Sequence, residues 1–175
     1  MNLLLVFAQF YVPPFIKKKK LHELFDATAG AFYSQAPPYR KLSFKECLKQ
    51  YALFTRDRAE ESIRQGNDLE VRPRLYQNAR RLAQNIKKIY RIDSVEDAMK
   101  ICEVIYRILN VEFDGNARGE VLIKKCFFSS FYSRDVCRLI SSLDEGLLEG
   151  LSGGKFRFFQ RITEGKECCR AQLSS

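Results

Sequence analysis

The chain contains no tryptophan and a single histidine, His22. None of its six cysteines forms a Cys-x-x-Cys pair. The lone imidazole excludes a three-histidine metal site within one chain. Any histidine-based mechanism would have to use His22, whose setting, LHELF, is that of a surface or packing position. The missing Cys-x-x-Cys excludes zinc-ribbon and zinc-finger frameworks. No apolar run is long enough to span a bilayer. The stretch 3–16 (LLLVFAQFYVPPFI) is too short and contains Pro13-Pro14. Its basic cluster, Lys17-Lys18-Lys19-Lys20, follows the apolar run, which reverses the order of a secretory signal. Internal repeats and low-complexity segments are absent.

What is present is an ordinary globular composition with a basic excess. At 175 residues and 46% hydrophobic, the chain can bury one sizeable core. Fourteen Phe and eight Tyr make that core aromatic. The net charge of +9 would suit an anionic ligand, a nucleic acid or an acidic membrane surface. The lysines and arginines are spread over the helices, however, and no recognition-helix signature accompanies them. A solvated basic surface is therefore expected, with no nucleic-acid partner. Cysteines without a secretory signal point to the reducing cytoplasm, as free and mostly buried thiols. Residues 1–42 read as an N-terminal extension or arm, packed on the domain or on a second subunit in a homodimer. An interfacial membrane anchor is the alternative. Residues 43–175 read as a single domain.

Hydrophobic spacing places the elements. Ser43-Phe44-Lys45-Glu46 forms a capping box opening a helix that ends near Gly66. A second helix covers 72–90, with Leu75, Ala79, Leu82, Ile86 and Ile89 on one face. A third starts after Ser94. The period then switches to strands: 111–113, a turn at Asp114-Gly115-Asn116, and 119–128. Val136, Ile140, Leu143, Leu147 and Leu151 form the apolar face of one long helix, ended by Gly153-Gly154. Residues 156–162 form an aromatic strand, Glu164-Gly165-Lys166 a turn, and 169–173 a last strand. Alternation along it puts Cys169, Ala171 and Leu173 on one face, away from Cys168. The expected fold is α+β: N-terminal helices followed by a small antiparallel sheet crossed by one long helix.

The stretch 126–173 gathers Cys126, Cys137, Cys168, Cys169, Asp144 and Glu145, the densest set of reactive side chains in the chain. The order of its parts resembles the L-2-amino-thiazoline-4-carboxylic acid hydrolase family: a cysteine-bearing segment at Cys126, a helix carrying Cys137 and Asp144, an aromatic strand at 156–163 and a Gly165-to-Cys169 ending. The helix LKQYALFTRDRAEESIR is similar to that family's N-terminal helix. The ending GGKFRFFQRITEGKECCRAQL is also similar to vinyl-reductase-type ligand-binding domains. The first resemblance implies a carbon–nitrogen hydrolase that opens a cyclic C=N substrate of the thiazoline carboxylate type. The second implies a non-catalytic module that binds or senses a small hydrophobic or tetrapyrrole-type molecule.

Either way the expected partner is a small-molecule ligand or substrate, and no cofactor is called for. Ring opening needs a nucleophile, a proton shuttle and a group for the substrate carboxylate. Cys126, Cys137 and Cys169 are the candidate nucleophiles, and Asp144 is the candidate acid/base, with Glu145 beside it. Arg157 or Arg161 could hold a carboxylate. On one helix Cys137 and Asp144 would stand about 10 Å apart, able to line one pocket without touching. The plainer reading makes the cysteines core residues and the two acids solvated. A metal held by Cys126, Cys137 and Cys169 is a further option.

Overall fold

The computed structural model describes residues 12–38 and 41–174. Its helices are α1 (Pro14–Ala31), α2 (Phe44–Gln65), α3 (Asp68–Tyr90), α4 (Val95–Ile108), α5 (Arg134–Ile140) and α6 (Ser142–Ser152). The strands are β1 (Val111–Gly115), β2 (Glu120–Cys126), β3 (Lys155–Gln160) and β4 (Cys169–Ser174), in the antiparallel order β1-β2-β4-β3. The fold is α+β.

Local chemistry sets the boundaries. At α2 the Ser43 hydroxyl accepts from the Glu46 N–H at 3.3 Å, and the Glu46 carboxylate accepts from the Ser43 N–H at 2.9 Å. Both halves of the capping box are thus made. Ser94 caps α4 through the Asp97 N–H at 3.1 Å. Gly66 closes α2 at φ +73°, where a Cβ would be strained. In β4, Cys169, Ala171 and Leu173 are buried while Arg170 and Ser174 are exposed, as period-two alternation requires.

One expectation fails in an informative way. The predicted long helix is two helices, α5 and α6, meeting at Ser141 (ψ −5°). The Ser141 hydroxyl donates to the Arg138 carbonyl at 3.1 Å, and the Ser142 hydroxyl to the Leu139 carbonyl at 2.7 Å. Hydroxyls competing for the helix's own carbonyls bend and break it. The apolar stripe runs straight through the break, so its spacing conceals it.

One sheet face packs against α4 and α6, with Phe113, Val121, Ile123, Phe156 and Leu173 meeting Met99, Cys102, Leu148 and Leu151. A second cluster joins α3 to α5 through Leu75, Val136 and Leu139. The third joins α1 to α2: Leu21 and Phe25 are fully buried against Cys47, Leu48 and Tyr51. The helical part of the predicted arm is therefore packed on the rest of the molecule. Residues 3–11 of that arm, and any dimer contact through them, lie outside the described residues.

The tightest helix pairing is α3 with α6. A Cβ on Gly146 would lie 2.2 Å from the Tyr76 carbonyl oxygen, and one on Gly150 would lie 2.7 Å from the Ala83 Cβ. Two glycines one turn apart let the backbones approach at a distance no larger residue permits. Glu149 locks the same region. It accepts from the Tyr76 hydroxyl at 2.7 Å and from the Phe156 N–H at 3.0 Å. Burial pushes its carboxyl up, but these bonds and Lys155 hold it below the ordinary value overall. Among the described residues, no helix is long and apolar enough to cross a membrane.

Candidate functional site

A cavity of about 680 Å³ lies where the helices meet the sheet. Small-molecule pockets occupy roughly 300–1,000 Å³. α1 contributes Leu21 and Leu24, α3 Leu82 and Ile86, and α4 Ile105 and Ile108. α6 adds Leu143 and Leu147, and the aromatic walls are Tyr51, Phe128, Tyr132 and Phe158. The exposed side chains among the lining residues, Lys20, Asn85, Lys88 and Ile89, mark the mouth. Ile89 is 64% exposed there.

The cavity also brings together most of the chemistry anticipated from the sequence. Cys126 at the end of β2, Cys137 in α5, Cys169 at the start of β4, Asp144 in α6 and Arg161 just beyond β3 all line it. Arg157 and Glu145 do not. Arg157 is exposed on the outer face of β3. Glu145 lies one residue, about 100° of helix rotation, past Asp144 and faces Arg72 at 3.7 Å. His22 is not among the lining residues. Tyr106, Ser141 and Thr163 line the cavity without having been anticipated. Tyr106 could have been found from the apolar stripe of α4, on which it is the one residue with a hydroxyl.

Electrostatics separates the acid from the thiols. Burial raises the Asp144 carboxyl from 3.8 to about 6, with Glu145 adding to the rise. The Tyr106 hydroxyl, donating at 2.5 Å, and Arg161 oppose it. Asp144 therefore titrates near neutrality. Burial drives the Cys126 thiol up to about 12, although the Phe128 and Ser129 backbone N–H groups favour its thiolate. It drives Cys169 up to about 11 against an Ile162 N–H donating to the sulfur at 3.4 Å. Cys137 is likewise raised by burial, with the Thr163 hydroxyl and Arg161 pulling the other way. A thiol titrating at 12 is ionised in only about one molecule in 10⁵ at pH 7. The same apolar walls that form the cavity thus keep its sulfurs protonated.

Among the described residues, no group of three or more His, Cys, Asp and Glu side chains is placed to hold a metal ion, so the three-thiolate option has no geometry to support it.

The class defined by fold and site is an α+β domain enclosing a mainly apolar cavity whose lining carries two acids, Glu23 and Asp144, and one guanidinium, Arg161. No family model, curated protein or solved structure matches the chain.

Proposed function

We propose that this protein binds a small, predominantly apolar molecule in the cavity, as a ligand-binding module. The observation that carries the reading is the cavity itself: about 680 Å³ walled by aliphatic and aromatic side chains from nearly every element of the fold. A hollow of that size leaves its walls short of van der Waals partners, which an apolar occupant supplies. All six cysteines are free thiols, which suits a reducing compartment such as the cytoplasm. The test is saturable binding of the neutral fluorophore 1-aminoanthracene, compared with an Ile105→Trp variant that fills the space. Wild type should bind with a stoichiometry near one, and the variant at least about tenfold more weakly with its thermal melt retained. Equal binding by both proteins would remove the cavity as the site.

The second reading is hydrolysis of a thiazoline carboxylate. It is favoured by Cys126, Cys137, Cys169 and Asp144 lining one cavity, and disfavoured by the raised thiols. Turnover lost in Cys126→Ala, Cys137→Ala or Cys169→Ala would support it. Turnover unchanged in all three would remove the thiol mechanism.

A further inference from the structure

The polar end of the cavity narrows the class of occupant. Arg161 lines the cavity, yet its guanidinium is incompletely satisfied. One terminal nitrogen donates to the Ser141 hydroxyl at 3.2 Å, and the group stacks on the Phe158 ring with its carbon 4.7 Å from the centroid. Nε is buried and has no hydrogen-bond partner. A guanidinium offers five N–H donors in a fixed fork that matches a carboxylate, and the bond to Ser141 engages only one of its terminal donors.

The acids of the chain do not fill this need. Arg161 is felt electrostatically by Asp144 and Glu145, but each has another partner: Asp144 accepts from Tyr106, and Glu145 faces Arg72. Glu164, only three residues along, pairs with Arg138 at 2.8 Å. No carboxylate is within ion-pair distance of Arg161 among the described residues. Arg161 is thus a cation at the wall of an apolar cavity with its neighbouring acids held elsewhere.

We propose that Arg161 anchors an acidic head group, so that the natural occupant is a monocarboxylic acid with an apolar body. This rests on the cavity reading above, and one experiment separates the two. Dodecanoic acid and dodecan-1-ol, identical in chain and different in head, compete for bound 1-aminoanthracene on the full chain at pH 7. With wild type, the acid should displace the dye at a concentration at least about tenfold lower than the alcohol, the scale of a charge-assisted hydrogen bond. Arg161→Gln should bring acid and alcohol to within about threefold of each other by weakening the acid alone, and Arg161→Lys should restore part of the difference. Equal displacement by acid and alcohol in wild type, or unchanged discrimination in Arg161→Gln, would overturn the anchor and leave the apolar cavity standing. Failure of the dye and of both competitors to bind would overturn the cavity reading and the anchor with it.

Discussion

Replacing Asp144 with Asn should stabilise the protein at neutral and alkaline pH, by an amount the structure bounds. The folded-state carboxyl titrates near 6, against 3.8 for the free group. Each pKa unit corresponds to about 1.36 kcal/mol, so holding the ionised form costs about 3 kcal/mol of folding stability. The sign follows from proton counting. Between the two pKa values the folded state binds more protons than the unfolded, so stability falls as pH rises through that window. Below about pH 3 both states are protonated and the cost vanishes, and above about pH 7 it is complete. Asn keeps an oxygen to accept from Tyr106 and carries no charge. Urea denaturation of both proteins from pH 4 to pH 8 measures the difference directly and cancels every other titrating group. The advantage of Asp144→Asn should be about 0.5 kcal/mol at pH 4, grow to about 2–3 kcal/mol by pH 7 and then level off. For a chain of this size that is a rise of roughly 4–10 °C in melting temperature. A difference that is flat with pH, or a variant less stable at pH 8 than at pH 4 relative to wild type, would refute the account of Asp144 as a desolvated acid.

Other consequences are equally direct. Gly146→Ala forces a methyl to 2.2 Å from the Tyr76 carbonyl and should cost about 3 kcal/mol or more by thermal melting; a loss under about 0.5 kcal/mol would mean that α3 and α6 separate easily. Alkylation at pH 8, followed cysteine by cysteine by peptide mass spectrometry, should find Cys126 about a thousandfold slower than a free thiol of pKa 8.5. Labelling of Cys126 within minutes would contradict its burial. Ser43→Ala removes the capping box of α2 and should lower stability by about 1 kcal/mol, read from the denaturation midpoint with an unchanged slope.

What the sequence disclosed and what it hid divide along the range of the interactions. The Ser43–Glu46 box, the Ser94 cap and the alternation in β4 are properties of a few adjacent residues, so local spacing revealed them. The break at Ser141 was hidden by an apolar stripe that crosses it unbroken, although the Ser141-Ser142 pair was a usable sign. The Gly146/Gly150 contact was likewise present as GLLEG, but its meaning depends on Tyr76 and Ala83, some seventy residues away. At the site, residue type alone picked out Cys126, Cys137, Cys169, Asp144 and Arg161, which the fold places on one cavity. It could not separate Arg161 from Arg157, or Asp144 from Glu145. Arg157 and Arg161 share strand parity, and the register shift between Phe158 and Gln160 near the end of β3 parts them; helix rotation parts Asp144 from Glu145, and only the packed partners fix either phase. Nor could it show that α1, read as part of an extension, forms a wall of the cavity.

That wall has a mechanical meaning. Leu21 and Leu24 of α1 border the same space as Cys169 of β4 and Phe158 of β3. Segments about 140 residues apart along the chain thus meet across a gap that their own side chains do not fill. A molecule lodged there would touch both at once and hold them as a peg holds a joint. With the peg in place, α1 should resist proteases that clip it from the empty protein.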